Sequence, residues 1–303
     1  MTNTRYDFLV FMALLGFPEE AVNALIAGYD AILACESSRE RFVPIVENYR
    51  DKREFNIGKT CEAAILSSRE CGAHEYTCLL VFYMCTAMYS YPAFVEKGLS
   101  KEEWLDSMAD YRCKLYECHD RYGVWGTFVN WFDKWYTGDR TTYGRFAFEV
   151  VDCPGDYKGD GFEVKVGQKV IAAHILNNKE KPFTKEAWTE AYGRAEEHFK
   201  NQLDGAEPIF YVISWLLFPK HFEMLPADSK ILQFISEYEI MGTWPTRNDL
   251  WRLFNIQDCN QDPSTFDEST SLRRAYKKFM LEGGEPCCSA GFRLPNSKRQ
   301  NKE

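Results

Sequence analysis

The sequence is short of positive charge. Over 303 residues, 36 Lys and Arg stand against 45 Asp and Glu, a net charge of −9. Nucleic-acid binding draws on a basic field that neutralises phosphates, and the one basic cluster here, Lys298, Arg299 and Lys302, is a solvated tail. Nucleic acid is therefore not an expected partner. Long apolar runs are also lacking, with none near the ~18–20 residues of a membrane span. The stretch from Phe8 to Phe17 imitates an export signal only weakly. A single Arg5 and then Asp7 precede it, and Gly16, Phe17 and Pro18 make a poor cleavage site. It reads as a first helix, and a cytoplasmic protein is expected.

Among 11 cysteines there is no CxxC pair, so a zinc ribbon is excluded. An odd cysteine count without an export signal speaks against a disulfide framework. The closest approach to metal-ligand spacing is Cys71, His74 and Cys78, then Cys113, Cys118 and His119. Cys71, Cys78 and Cys85 recur every seven residues in an apolar stretch, which stacks them on one helix face as small hydrophobes. No metal is expected. The common catalytic signatures GxxxxGK[ST], GxGxxG, HExxH and GxSxG are absent too.

What the chain does have is core material: 45% hydrophobic residues, and 16% aromatic ones. Its length suggests about two domains. Residues 1–125 read as consecutive helices. Pro18 opens one that carries Ala21, Leu25, Ile26, Tyr29, Ile32 and Leu33 at helical spacing. Thr77 to Tyr91 is apolar on most sides and reads as a central buried helix. Ser100 and Glu103 form a capping box for a helix with Trp104, Met108, Tyr111 and Leu115.

The pattern changes in residues 126–303. After a short helix from Phe128 to Trp135, period-two alternation appears, and strands are predicted at Arg145–Val151, Phe162–Val166, Lys169–Leu176, Tyr238–Gly242 and Cys288–Leu294, with a further one at Pro208–Leu217 from its short apolar run. Gly167 and Gln168 suit a hairpin turn between the second and third of these. A helix is expected from Thr184 to Leu203, with shorter ones around 219–225, 229–236, 248–254 and 271–282. The class is α+β, an all-helical domain followed by a mixed one.

The order of hairpin, helix, long apolar strand, helix and strand resembles the centre of the GNAT acyltransferase fold. Particular stretches resemble a bacterial acyltransferase family with a helical N-terminal domain and a GNAT-like C-terminal domain. They are Gly126 to Phe128 with Tyr143 to Glu149; Ala173, His174 and Ile175; Ser214 to Leu217 with Leu225 to Ile231 and Phe234; and Thr270 to Ala275 through Gly283 and Gly284 to Gly291 and Phe292.

The resemblance implies transfer of an acyl group from acyl-CoA, acetyl or longer, to a small amine. A strand, loop and helix start would hold the coenzyme: Ala172 and Ala173, then Asn177, Asn178, Lys179 and Lys181, then Thr184, with Trp215 as a pocket wall. Helix N-termini favour such anions. His174 is the implied base, and Glu149 and Tyr238 are further candidates for proton transfer. Each has a plainer reading. His174 could serve a hydrogen-bond network, Glu149 could face solvent, and Tyr238 is one of 17 tyrosines. The chain departs from the family's pattern in one respect. Residues 177–183 contain no glycine, although close approach of backbone to phosphate favours it. That departure keeps open a rival reading, a GNAT-like protein that binds a ligand or partner without catalysis.

Overall fold

A computed structural model describes residues 2–299; Lys302 of the basic tail lies outside them. The chain forms two compact units, Met1–Thr142 and Tyr143–Glu303. The division falls later than 125/126 because Val129, Phe132, Trp135 and Tyr136 are core residues of the helical unit.

That unit contains α1 (Thr2–Leu14), α2 (Glu19–Ala34), α3 (Glu36–Lys52), α4 (Ile57–Cys71), α5 (Glu75–Ala87), α6 (Tyr91–Glu96), α7 (Lys101–Tyr122) and α8 (Asp133–Thr137). Every residue of α5 from Thr77 to Ala87 is buried, as its all-round apolarity demands. In α7 the Ser100 hydroxyl accepts from the Glu103 N–H while the Glu103 carboxylate accepts from the Ser100 N–H. Helix α7 ends at Gly123, in the left-handed conformation.

Two expectations need correction here. Cys71 closes α4, whereas Cys78 and Cys85 lie on α5, because Gly72 at φ +73° ends the helix between them. The 128–135 helix is displaced to α8. Before it the chain runs unwound against α5, with the Thr127 N–H donating to the Tyr76 carbonyl. A Cβ on Gly126 would lie 2.4 Å from the Tyr76 backbone, so only glycine allows that approach.

The chain passes the division within β1 (Arg140–Tyr143), which the alternation did not reveal, and the second unit continues through β2 (Phe146–Asp152), β3 (Tyr157–Gly159), β4 (Phe162–Val164) and β5 (Lys169–Ile175). It then runs through α9 (Lys185–Phe199), β6 (Phe210–Ser214), α10 (His221–Met224), α11 (Lys230–Ile235), β7 (Glu239–Pro245), α12 (Leu250–Phe254), α13 (Ser271–Leu281), β8 (Cys287–Arg293) and α14 (Asn296–Arg299).

The six-stranded sheet has the order β1-β2-β5-β6-β8-β7. The expected hairpin about Gly167 also needs correction. β4 pairs with β3 across Asp160 and Gly161, and β5 pairs antiparallel with β2, from Phe146 opposite Ile175 to Asp152 opposite Lys169. Asp-Gly between alternating apolar residues is itself a strong hairpin signal.

One face of the sheet packs Phe146, Phe148, Ile171, Ala173 and Phe210 against Trp188, Ala191, Tyr192 and Ala195 of α9. The opposite face gathers Val170, Tyr211, Ala290 and Phe292 with Phe162 and Val164 of the small hairpin. Beneath the first core, Arg293 is buried and donates through Nε to Glu237 (2.8 Å), and the Trp188 indole N–H donates to the other Glu237 oxygen. A third cluster joins α12 and α13. Among the described residues no helix is long and apolar enough to cross a membrane.

Candidate functional site

Strand alternation decides which side chains meet. Phe146, Phe148 and Val150 face α9, so Glu149 points to the opposite side. On β5, Ala173 and Ile175 face α9, so His174 also points away from it. Glu149 stands opposite Ala172 in the ladder, one diagonal step from His174. The result is a 2.7 Å contact between His174 Nε2 and Glu149 Oε1. The carboxylate side chain is 8% exposed and the imidazole 47%. With Glu149 ionised, the neutral ring keeps its proton on Nε2, donates it to the carboxylate, and presents Nδ1 as the basic atom. A carboxylate that orients a base in this way is a recurrent device for proton abstraction.

Beside this pair the sheet opens. β5 and β6 run parallel but pair only at Ile171 with Phe210 and Ala172 with Tyr211. Beyond that point residues 173–175 pair only with β2, and residues 212–214 only with β8. The strand edges along the gap are left without a strand partner. Continuing the register sets His174 level with Ile213 across the gap.

The coenzyme candidates lie along β5, the loop after it and the start of α9. Ala172 and Ala173 are buried in β5 at the start of the gap. In the loop, Asn177 and Lys179 are exposed and Lys181 is half-buried. Asn178 is buried, and its side-chain oxygen accepts from the Glu180 N–H (3.1 Å). Thr184 caps α9 by accepting from the Ala187 N–H. Glu186 accepts from its own backbone N–H and from the Thr184 hydroxyl, which hold its carboxyl below the usual range. The start of α9 thus carries an anion of its own. Arg145, which the sequence pattern did not single out as a site residue, lies by the loop with its guanidinium 5.4 Å from the Phe183 ring.

Two candidates are not brought to the pair. Tyr238 lies in the α9-side core, where its hydroxyl bonds to that of Tyr192 and burial pushes the phenol well above its ordinary range. Trp215 follows β6 and packs against the α12–α13 cluster, edge-on to Tyr276. That cluster also holds a polar link that periodicity could not show. The buried His221 Nδ1–H donates to the Leu216 carbonyl, so Nε2 accepts from the Tyr276 hydroxyl at 2.6 Å.

All 11 cysteines are free, and burial pushes the Cys113 and Cys118 thiols up to about 12. Among the described residues no group of three His, Cys, Asp or Glu side chains could hold a metal. The helical unit contains a cavity of about 300 Å³ over Tyr49, Phe55 and Tyr136, and none of the candidate residues lines it.

No curated protein matches the sequence. Solved structures do resemble the fold. An acyltransferase in complex with decanoyl-CoA and teicoplanin aligns at TM-score 0.68 and 18% identity, covering 94% of this chain and 86% of that one. An acyltransferase with CoA and 10C-teicoplanin gives 0.67 and 18%, and one with decanoyl-CoA gives 0.65 and 15%, with the same coverage. The family model of the N-acyltransferase N-terminal domain matches residues 8–138 and that of the GNAT-like C-terminal domain residues 141–293, and the chain belongs to the family that joins these two domains.

Proposed function

We propose that the protein is an acyl-CoA-dependent N-acyltransferase whose base is His174, positioned by Glu149. The observation that carries this reading is the His174–Glu149 pair at the gap between β5 and β6. The pantetheine arm of a coenzyme A thioester has two amides. Unpaired strand edges are the partners such amides need, because backbone N–H and C=O groups seek hydrogen bonds wherever they are left open. Similar structures that hold decanoyl-CoA, one of them with teicoplanin beside it, support an acyl-CoA donor and a small-molecule acceptor.

In this reading His174 Nδ1 removes a proton from the acceptor amine as its nitrogen attacks the thioester carbonyl. The C–N bond forms, the C–S bond breaks, and the imidazolium returns the proton to the departing thiolate. The products are an amide and the free thiol of coenzyme A. The carboxylate of Glu149 stabilises the transient imidazolium. Lys179 and Lys181, with Arg145, supply positive charge toward the pyrophosphate.

One observation favours a protein that binds acyl-CoA without transferring the acyl group: the glycine-free loop with Glu186 across the start of α9. Release of coenzyme A thiol, followed with a panel of amines, separates the two readings. Amine-dependent release that is lost in His174→Ala supports transfer. Binding of acyl-CoA without release by any amine would leave only the silent protein.

A further inference from the structure

Helix α1 is apolar over more of its circumference than one chain covers. Phe8, Phe11, Met12 and Leu15 are buried in the helical unit. The other side carries Tyr6, Val10 and Leu14 at four-residue spacing, exposed by 66%, 39% and 51%. Ala13 is exposed among them and Leu9 half-buried. These five side chains span an arc of about 140° with no charged group in it. A helix apolar all round is ordinarily buried all round. Helix α5 meets that rule within the chain, and α1 does not. A lipid surface is a poor match for the open side. Helices that lie on membranes carry several Lys and Arg beside the apolar face, whereas α1 has only Arg5, in a chain of net charge −9.

We infer that this face is the contact between two copies of the chain, packed antiparallel about a twofold axis at Val10. Tyr6 and Leu14 stand four residues to either side of Val10. Such an axis therefore sets Val10 against its own copy and Tyr6 against Leu14 of the second copy, the self-complementarity that a twofold interface requires. Charge agrees with this direction. Helix α2 folds back along α1, with Asp30 paired to Arg5 and the Tyr29 ring 6.0 Å from that of Phe8. Glu20, ten residues before Asp30, thus comes level with the end of α1. The same axis sets Arg5 level with the end of the second copy's α1, and so toward that copy's exposed Glu20. The Arg5–Asp30 pair is exposed at both ends, 45% and 52%. Such a pair is weak, so the guanidinium can bridge to a second carboxylate. A parallel arrangement would set Arg5 against Arg5. The face from Tyr6 to Leu14 is about 12 Å long, smaller than the ~800 Å² per partner of a standard interface, so the dimer should form and part with concentration.

The test is sedimentation equilibrium of the full chain at roughly 1–500 μM, on the unchanged protein, Tyr6→Glu, Leu14→Lys and the two changes together. The expected result is a monomer–dimer equilibrium with a dissociation constant of about 1 μM–1 mM. Each single change buries a charge against an apolar side chain and should weaken the dimer at least about tenfold. The two together set opposite charges face to face across the axis and should recover most of that loss. Circular dichroism checks that each variant is folded. A monomer at every concentration, or a dimer that neither single change weakens, would overturn the inference. So would a combined variant no stronger than the weaker single one, because Tyr6 and Leu14 would then not meet. Monomer that sediments with vesicles of phosphatidylcholine and phosphatidylserine would give the face to a lipid surface and overturn it too.

Discussion

Replacing Glu237 by Ala should cost more stability than any other single carboxylate change in the second unit. Its side chain is 5% exposed and that of its partner Arg293 is 1% exposed, with Nε and carboxylate 2.8 Å apart. The other carboxylate oxygen accepts from the Trp188 indole N–H, and the guanidinium lies 4.2 Å from the Tyr192 ring. Removing Glu237 strands a buried cation and leaves the indole donor unsatisfied. Breaking a buried pair from one side costs about 3–5 kcal/mol.

For a unit of this size ~1 kcal/mol moves the midpoint by roughly 2–4 °C, so Tm should fall by about 6–20 °C. The control is Glu207→Ala, whose pair with Lys298 is exposed at both ends, 36% and 45%. That change should cost about 0–1 kcal/mol. Thermal and urea unfolding, read by circular dichroism, measure both. The double change Glu237→Met with Arg293→Met should recover much of the loss, because it removes the stranded charge. A Glu237→Ala midpoint within about 2 °C of the unchanged protein would refute the claim that this pair holds β8 and α9 to one core.

Other consequences follow from the site and the buried polar links. His174→Ala should lower turnover by about 10²–10⁴-fold while leaving acyl-CoA affinity within a few-fold. Unchanged turnover would remove His174 as the base. Lys179→Ala with Lys181→Ala should weaken acyl-CoA binding and flatten its dependence on salt, measured by titration at low and high ionic strength. No change would place the pyrophosphate elsewhere. Burial holds the His221 imidazole down to about 4, against 6.5 in the unfolded chain. The unfolded state therefore binds the proton more readily between those values. Stability present above about pH 6.5 should be lost as the pH falls toward 4, a swing of roughly 3 kcal/mol. His221→Gln should flatten that slope in denaturation curves taken across the window, and an equal slope would show that another group governs it.

Much of the secondary structure was legible because its signals are local. The capping box at Ser100 and Glu103, the all-apolar turns of α5, the alternation in β2 and the apolar run of β6 each depend on neighbours within a few residues. The misreadings share a cause. Gly167 has the residue type of a hairpin turn, although β4 finds its partner in β3 across Asp160 and Gly161. Pairing of strands is settled by which edges meet, and a turn residue alone does not reveal that. The seven-residue spacing of Cys71, Cys78 and Cys85 pointed to one helix until Gly72 divided it.

The site divides along the same line. His174 and Glu149 were visible as residue types on two strands, and the resemblance implied the role of the first. Their contact depends on the β2–β5 register, where a slip of one residue would turn either side chain to the other face. Alternation by itself could not tell that Tyr238 belongs to the α9-side core. The two-part α+β plan was legible in the sequence because caps and periodicity act over short spans, and the family through the resemblance of the quoted stretches. The 2.7 Å pair and the parting of β5 from β6 emerge only in the folded chain, because each arises where strands far apart in the chain meet or separate.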